Sequence, residues 1–234
     1  MYNILENINI FPDKSDTDKL NRFVKIITDY NSKVNLVSNN DIKYIFEKHI
    51  FDSLALNLFI KKYLNSYNLK LLDVGTGGGF PSIPLSLLFN NIDVCAVDSI
   101  RKKIDFINFV KSELGIFNIT PICSRIEEIN PIYKNSFNVV TSRALAELRI
   151  ILEYSLPFLK VGGYFVAYKS IKADAEINES QKALKILNAE IVDKIEYTLP
   201  LQTCVSRCLI IVQKKDDTPI QFPRKNGLIK KNPL

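Results

Sequence analysis

The sequence predicts an α/β fold in which a mostly parallel sheet carries helices on both faces. Short runs rich in valine, isoleucine and phenylalanine alternate with longer runs of helical periodicity in the middle of the chain. The late order of one helix and then two strands predicts an antiparallel pair at one edge of the sheet. Four of the eight glycines lie within five positions, directly after the first strand-like run. Such a cluster indicates that a ligand approaches the backbone closely.

The first 65 residues predict helices. Apolar residues recur at helical spacing on one face of the first helix, behind the run SDTD, which is typical of a helix cap. They are Leu20, Phe23, Val24, Ile27 and Tyr30. A second helix is predicted over residues 41–64, with a break near Asp52 and Ser53.

Strands and helices alternate from residue 69 onward. The strand-like runs are LKLLDV, IDVCAVD, NITPIC, FNVVTSR and GYFVAYKS. The helical patterns between them cover residues 81–90, 101–114 and 145–159. After Ser170 the sequence predicts a helix over residues 173–187 and strands over residues 190–198 and 207–214.

Length and composition fit a single soluble domain with small appendages. The chain has 234 residues, of which 47% are hydrophobic and 24% charged. We expect a helical N-terminal extension (1–65), a central ligand-binding domain (66–214) and a basic C-terminal tail (215–234). Because no apolar run is long enough to span a bilayer and the N-terminus lacks a basic leader, we expect a cytoplasmic protein with no membrane partner.

Cysteine and histidine usage argues against a metal site. The single histidine is His49, and the four cysteines show no CxxC spacing. We therefore expect no metal, and thiols that serve as small buried hydrophobic groups in a reducing compartment. The cysteines are Cys95, Cys123, Cys204 and Cys208.

Positive charge is concentrated at the C-terminus. Of the net charge of +6, the last 21 residues contribute six basic minus two acidic residues, which is +4. This bias predicts a polyanionic partner, although a solvated terminus has the same composition. Three prolines predict an extended tail that folds back onto the domain. We expect the tail not to affect ligand affinity at a site elsewhere in the chain. The basic residues are Lys214, Lys215, Arg224, Lys225, Lys230 and Lys231, and the prolines are Pro219, Pro223 and Pro233.

The glycine run predicts a nucleoside site. Gly75, Gly77 and Gly79 follow the first strand and precede a helix, at the sheet edge where ligands bind α/β proteins. Asp98 ends the second strand, 19 residues beyond Gly79, where a carboxylate accepts hydrogen bonds from ribose hydroxyls.

The residues after the glycines distinguish between two kinds of nucleoside cofactor that the loop could bind. Dinucleotide sites favour G-x-G-x-x-G, but here Phe80 stands at the sixth position and Pro81 follows, which removes an N–H that a phosphate would use. The actual pattern, D-x-G-x-G-x-G, resembles the S-adenosyl-L-methionine (AdoMet) loop of class I methyltransferases, which have a Rossmann-like fold. A nicotinamide-dependent oxidoreductase and a merely structural turn are the alternatives.

The sequence lacks two motifs that methyltransferases of particular methyl acceptors use, and their absence limits which acceptor fits. The fourth strand leads into Ser142, Arg143 and Ala144, where methyltransferases of exocyclic amines usually carry an NPPY-like stretch. No cysteine stands in the Pro-Cys context of a carbon-5 pyrimidine methyltransferase. A purine N7 needs neither device, because its lone pair is free at neutral pH and positioning suffices. No catalytic side chain is identified from the sequence.

Six segments in order carry a family resemblance: YNSKVNLVS, HIFDSLAL, LLDVGTGGGFPSIPL, SRIEE, TSRALAEL and FPRKNGLIKKNPL. In them the chain resembles the rRNA small subunit methyltransferase G family, also called glucose-inhibited division protein B, from Tyr30 to Leu234. The resemblance implies a class I AdoMet-dependent methyltransferase domain that methylates a guanine N7 in 16S ribosomal RNA. A non-catalytic RNA-binding assembly protein on the same scaffold is the alternative.

The resemblance also implies roles for individual residues. It assigns Gly75 and Phe80 to the cofactor loop, and Ile126 and Glu127 to the adenine side. It assigns Arg143 to the end of the cofactor pocket near the acceptor, where a surface ion pair is the alternative.

Basic residues near the cofactor face and in the tail are expected to contact RNA phosphates, and solvated side chains are the alternative. They are Arg125, Lys169, Arg224, Lys225, Lys230 and Lys231. Ser170 and Ile229 depart from the family pattern in segments that concern RNA. For His49 we expect a structural hydrogen bond from the N-terminal helices to the loop after the first strand. The expected partner is 16S ribosomal RNA or a small-subunit particle, bound by a monomer.

Overall fold

A seven-stranded sheet forms the centre of the protein. The computed structural model describes residues 2–64, 66–170, 173–201 and 205–234, so Cys204 lies outside the described residues. The strands are β1 (Leu69–Val74), β2 (Ile92–Asp98), β3 (Ile119–Cys123), β4 (Phe137–Arg143), β5 (Leu159–Lys169), β6 (Ala189–Leu199) and β7 (Val205–Lys214). Their order in the sheet is β3-β2-β1-β4-β5-β7-β6.

Helices cover the sheet and precede it. The α-helices are α1 (Lys14–Asn31), α2 (Asp52–Leu54), α3 (Leu56–Tyr63), α4 (Ser82–Leu88), α5 (Arg101–Leu114), α6 (Leu148–Ser155), α7 (Ala173–Glu179), α8 (Gln181–Ile186) and α9 (Asn226–Lys231). Short 3₁₀ segments span Tyr2–Ile8, Ile42–Tyr44, Ile126–Glu128, Pro131–Tyr133 and Leu156–Phe158, and a π-helix spans Phe46–Phe51. Among the described residues, no helix is both long and apolar enough to cross a membrane.

The sheet topology places a ligand crevice at the end of β1. The chain runs outward from β1 through β2 to β3 and then returns to β4 on the other side of β1. The carboxyl ends of β1, β2 and β4 therefore meet at one switch point. The predicted mostly parallel sheet is confirmed, as is its antiparallel edge, because β7 runs antiparallel to both β5 and β6.

Lys214, the last residue of β7, stabilises this edge of the sheet through buried hydrogen bonds. Its side chain is fully buried, and Nζ donates to Asn135 Oδ1 (2.7 Å) and to the carbonyls of Leu156 (3.2 Å) and Leu159 (2.9 Å). Burial lowers the pKa of Lys214. Because all three ammonium protons have acceptors, this basic residue stabilises the fold and is not part of the exposed charge of the tail.

The N-terminal helices share their hydrophobic core with the sheet. Leu20, Phe23 and Ile27 on the predicted apolar face of α1 are fully buried in the same cluster as Leu71 of β1. The buried Asn57 side chain of α3 also donates to the backbone carbonyl of Ile8 (2.8 Å). The extension is thus packed against the sheet, and the domain boundaries stay a prediction.

The first helix begins earlier than expected. The cap is Asp13, which accepts a hydrogen bond from the Asp16 backbone N–H (2.8 Å), while the Asp16 carboxylate accepts from the Asp13 N–H (3.4 Å). The run SDTD therefore lies inside α1, because a reciprocal capping box two residues upstream satisfies the free N–H groups.

Two predicted helices are divided. The helix expected over residues 41–64 contains the π-helix and breaks at Ala55, beyond the expected break. The helix expected over residues 173–187 divides at Ser180, whose hydroxyl donates to the carbonyls of Glu176 (2.7 Å) and Ile177 (3.1 Å). Such back-bonding of a serine hydroxyl competes with the regular helix ladder.

The prediction of a wholly extended tail is wrong. Residues 226–231 form α9, and Ile229 on this helix is fully buried. The reason is that Pro223 and Pro233 flank the helical segment and do not interrupt it. The tail does fold back onto the domain, and Phe222 and Ile229 pack into the same core cluster as α6.

Candidate cofactor and acceptor site

The loop after β1 has a backbone that needs glycine at two positions in particular. Gly75 has φ of +75°, and a Cβ built on it would lie 2.9 Å from both methyl groups of Leu145. Gly79 has φ of +86°, and its Cβ would lie 2.3 Å from Ile83 Cδ1 in α4. Gly79 therefore allows α4 to pack closely against the loop, while Gly75 presents bare backbone toward Leu145.

A chain of buried hydroxyl groups ties the loop to its strand. Thr76 Oγ1 donates to Ser82 Oγ (3.0 Å), which donates to Asp73 Oδ2 (2.6 Å). Burial raises the pKa of Asp73 to about 7, against the opposing effect of these hydrogen bonds. The acidic residue of the D-x-G-x-G-x-G pattern thus lies beneath the loop and holds it in place.

Asp98 joins the glycine loop to the end of β2. Its Oδ2 accepts from the Gly77 N–H (2.9 Å) and its Oδ1 from the Ile100 N–H (2.9 Å), while Lys103 Nζ lies 3.7 Å from Oδ2. Each carboxylate oxygen has two lone pairs, so both retain the capacity to accept a ribose hydroxyl.

A cavity at the carboxyl ends of β1 and β2 brings four of the eight predicted cofactor residues together, namely Gly75, Asp98, Ile126 and Glu127. It is lined by Val74, Gly75, Val97, Asp98, Ser99, Ser124, Arg125, Ile126, Glu127, Leu145, Ala146, Tyr154 and Lys230. The lining contains two acidic and two basic side chains, whose formal charges cancel. The rest of the lining includes the glycine backbone and apolar side chains. This lining fits a nucleoside with a zwitterionic tail and a sulfonium, whereas a diphosphate would favour an excess of N–H donors and cations.

The other four predicted cofactor residues, Gly77, Gly79, Phe80 and Arg143, do not line this cavity. Phe80 is 6% exposed, and its ring packs against the rings of Phe23 (5.6 Å between centroids) and His49 (5.1 Å). Gly79 contacts α4 as described above. The resemblance-based assignment of Phe80 to cofactor binding stays a prediction, and its observed contact is with the N-terminal helices.

Replacing Asp98 with alanine is expected to weaken AdoMet binding about ten- to a hundredfold, as expected for charge-assisted hydrogen bonds of roughly 1.5–3 kcal/mol. Asp98→Asn keeps an oxygen that accepts hydrogen bonds but loses the charge. Its AdoMet affinity should therefore lie between those of the wild type and Asp98→Ala. Titration calorimetry with AdoMet measures both effects. A loss below twofold in folded Asp98→Ala would show that Asp98 does not contact the ribose.

Arg143, the last residue of β4, connects the sheet to the N-terminal helices. Nε donates to Asp52 Oδ2 (3.0 Å), and Nη2 donates to His49 Nδ1 (2.6 Å) and the Lys48 carbonyl (3.3 Å). Asp52 is 4% exposed and also accepts from the Tyr197 hydroxyl (2.6 Å). Arg143 is therefore held in a buried network, and its guanidinium also lies 5.6 Å from the centre of the Phe80 ring.

The same network fixes the protonation state of His49. Because a guanidinium can only donate, Nδ1 must accept and the ring proton stays on Nε2. Burial and then the charge of Arg143 lower the pKa of His49 to about 3. Since its ordinary value is about 6.5, the neutral ring stabilises the fold above pH 6.5, and this stabilisation is lost as the pH falls toward 3.

We expect the imidazole of His49 to remain neutral from pH 8 down to pH 5. As the single histidine of the chain, it gives one set of ring signals in proton NMR. Their chemical shifts should stay constant over this range in the wild type, whereas Arg143→Gln, which removes the neighbouring charge, should raise the midpoint. A wild-type midpoint near 6.5 would contradict the buried network.

A second cleft lies beyond Arg143 at the carboxyl ends of β4 and β5. Asp52, Arg143 and Lys169 line it together with Glu176 and Arg207. Lys169 Nζ donates to Glu176 Oε2 (2.6 Å) and to the Ala146 carbonyl (2.7 Å). Leu145 and Ala146 line both this cleft and the cofactor cavity, so the two spaces adjoin.

The tail reaches the cofactor cavity. The Arg224 guanidinium donates through Nε to Glu153 Oε1 (2.8 Å) and through Nη2 to Glu153 Oε2 (2.6 Å), and the Arg224 N–H also donates to Oε1 (2.9 Å). Glu153 lies on α6 and is fully buried. Lys230 on α9 then lines the cavity itself, so the expected separation of tail and ligand site is wrong: they are distant in sequence but adjacent in space.

The remaining residues that the sequence predicts to contact RNA in this part of the protein are Arg125, Arg224, Lys225 and Lys231. Arg125 lines both the cofactor cavity and a groove shared with Arg224 and Lys225. Lys225 and Lys231 are exposed. Arg224 has an intramolecular partner, and its contact with RNA stays a prediction like that of the others.

Comparison with known proteins identifies the family. The model of the rRNA small subunit methyltransferase G family matches residues 16–199, which is most of the chain. A ribosomal RNA small subunit methyltransferase G of Streptococcus pyogenes serotype M49 (strain NZ131) is 35% identical over 235 residues, which covers 100% of this chain and 98% of that protein. The protein of the same name from serotype M2 (strain MGAS10270) matches to the same extent.

The chain belongs to the rRNA small subunit methyltransferase G family. The resemblance seen in the sequence is thereby confirmed, and the chain is an rRNA methyltransferase whose cofactor is AdoMet. The nicotinamide-dependent alternative is excluded by this membership.

Solved structures of low sequence identity share the fold. M. jannaschii TYW2 in complex with AdoMet matches with a TM-score of 0.53 and 14% identity, over 65% of this chain and 72% of that chain. The cyclase SpnF matches with a TM-score of 0.56 and 14% identity, over 70% of this chain and 81% of that chain. The chain thus has the predicted class I methyltransferase fold.

Sequence reasoning missed several residues that line the cavity or the second cleft. Asp52 stands three residues after His49, a spacing that places both on one helix face and that gave a usable signal. Leu145, which covers Gly75, and Lys230 come close only through the tertiary fold. Within the described residues, no group of three or more His, Cys, Asp or Glu side chains has the geometry of a metal site.

Proposed function

We propose that this rRNA methyltransferase transfers the methyl group to N7 of a guanine in 16S ribosomal RNA. The observation that carries the proposal is the state of His49, which is neutral and accepts from Arg143 through Nδ1. It has no free lone pair with which to remove a proton, so it cannot serve as a base. A guanine N7 requires no base, because its lone pair is unprotonated near neutral pH.

Three further groups that line the second cleft are also engaged. Asp52 accepts from Arg143 and Tyr197. Tyr168 donates its hydroxyl to the Ser53 carbonyl (2.7 Å), and its pKa lies well above the ordinary value because it is buried. Lys169 is paired with Glu176. These contacts favour an acceptor that reacts through positioning alone.

Cysteine-based attack on a pyrimidine carbon is not supported by the described thiols. Burial raises the pKa of Cys95, in the middle of β2, to about 12. Cys208 is buried in β7, and Cys123 ends β3 at the far side of β2. None of these three lines the cofactor cavity or the second cleft beyond Arg143, which we propose as the acceptor cleft.

When bound, AdoMet supplies a methyl group activated by the sulfonium. The guanine N7 lone pair would form the new N–C bond and the sulfur would retain the electrons of the broken S–C bond, so that no side chain of the protein would have to remove a proton. Gly75 and Asp98 would hold the cofactor, and Leu145 and Ala146 would exclude water where the two spaces adjoin. The Arg143 network keeps the acceptor cleft in place.

The remaining features of the substrate complex are proposals as well. We expect Arg125, Lys169, Lys225 and Lys231 to contact phosphates of 16S RNA or of a small-subunit particle, in keeping with the net charge of +6. Arg224 and Lys230 are assigned to the same surface from the sequence. We further expect a cytoplasmic monomer that needs no metal.

Substitution at the acceptor atom tests the proposal. Small-subunit rRNA transcribed with 7-deazaguanosine, in which N7 is replaced by a C–H group, should incorporate no label from tritiated AdoMet. Transcripts with 7-deazaadenosine serve as the matched control and should be labelled like the unmodified RNA. Undiminished labelling of 7-deazaguanosine RNA would exclude N7 as the acceptor.

A further inference from the structure

We infer that Lys230 is a cofactor-binding residue that contacts the nucleoside half of AdoMet. Lys230 lines the cavity that also contains Gly75 and Asp98, although it lies 155 positions after Gly75 in the chain. It belongs to α9, which neither the glycine run nor the family resemblance connects with the cofactor.

The position of Lys230 is fixed by the way the tail is attached. The buried Glu153 carboxylate accepts three hydrogen bonds from Arg224. Lys134 Nζ donates to the Phe222 carbonyl (3.2 Å), and Ile229, the residue before Lys230, is fully buried. A lysine held next to a buried anchor loses less conformational freedom on binding than one on a free terminus.

The surroundings of Lys230 point to the nucleoside half. The cavity wall on the side of α6 is formed by Tyr154, which neighbours the Glu153 anchor in sequence. The charges of Glu127 and Arg125 act on the Tyr154 hydroxyl, whose pKa is raised to about 12, mainly by burial. Tyr154 therefore lies at the end of the cavity that contains the short segment after β3. The helix α9, which carries Lys230, packs against α6, and its Gly227 lines a groove together with Arg125 and Glu127.

The chemistry of a lysine suits an adenine at that end. Adenine ring nitrogens carry in-plane lone pairs that only accept hydrogen bonds, and an ammonium group only donates them. The Glu127 carboxylate, which lines the same cavity, is in turn matched to the exocyclic amine of adenine. Lys230 and Glu127 thus provide a donor and an acceptor for one purine edge, which neither apolar wall residues nor Asp98 can supply.

Binding measurements on two ligands test this assignment in the full-length protein. Lys230→Gln removes the charge at an exposed position, and Lys231→Gln is the matched control on the same helix, outside the cavity lining. S-adenosylhomocysteine and 5′-methylthioadenosine share the nucleoside but only the first has the amino-acid tail. Calorimetry gives both affinities, and thermal unfolding verifies that each variant is folded.

We expect Lys230→Gln to weaken both ligands by the same factor, about tenfold for the loss of one charge-assisted hydrogen bond. Lys231→Gln should change neither affinity by more than about twofold, and Lys230→Arg should restore most of the loss. An unchanged affinity in Lys230→Gln would overturn the assignment. So would a loss confined to S-adenosylhomocysteine, because Lys230 would then contact the amino-acid tail.

Discussion

Replacing Gly75 with valine is expected to abolish cofactor binding while the protein stays folded. The Cβ at this position would lie 2.9 Å from the methyl groups of Leu145, which is partly exposed and can move. The branched side chain would then fill the part of the cavity where the cofactor approaches the backbone. We expect AdoMet affinity to fall at least about a hundredfold, which corresponds to about 2.8 kcal/mol.

The control for this substitution separates backbone strain from loss of the site. Gly162 in β5 has φ of +80°, similar to that of Gly75, and no heavy atom lies within 4 Å of its virtual Cβ. Gly162→Val should therefore show similar strain, with normal AdoMet binding by calorimetry. Equal affinities of folded Gly75→Val and Gly162→Val would contradict the placement of the cofactor against Gly75.

Replacing Arg224 with alanine is expected to destabilise the protein by about 3–5 kcal/mol. The substitution leaves the fully buried Glu153 carboxylate without its two guanidinium hydrogen bonds, and an unpaired buried charge is costly. Urea denaturation at neutral pH measures the change in the free energy of unfolding.

Lys225→Ala is the matched control for this prediction. Lys225 is adjacent, exposed and equally charged, so its removal should change stability by less than about 0.5 kcal/mol. If both variants lose stability equally little, Arg224 does not anchor the tail. A loss of rRNA affinity in Lys225→Ala with unchanged stability would support the proposed phosphate contact of this residue.

The parts of the fold that local pattern determines could be predicted from the sequence. Three strands, β1, β2 and β4, and the helix α5 have the predicted bounds, because continuous β-branched runs and helical periodicity define buried strands and amphipathic helices. The glycine loop and Asp98 could be placed because the topology of such sheets brings the carboxyl ends of β1 and β2 together.

The rest depends on contacts that no local pattern encodes. Arg143 pairs with Asp52, 91 positions earlier, and with His49, 94 positions earlier. The π-helix and the division at Ser180 reflect hydrogen-bond competition within a helix, which periodicity does not reveal. The helix α9 could not be predicted from the prolines of the tail, because it depends on the burial of Ile229 in the core.

The identity of the methylated nucleoside tests the central claim most directly. The protein is incubated with tritiated AdoMet and small-subunit rRNA, supplied both as naked RNA and as an assembled particle, and the RNA is digested to nucleosides. We predict that the label co-elutes with 7-methylguanosine in at least one of the two substrates. Label in any other nucleoside, or none in either substrate, would contradict the account.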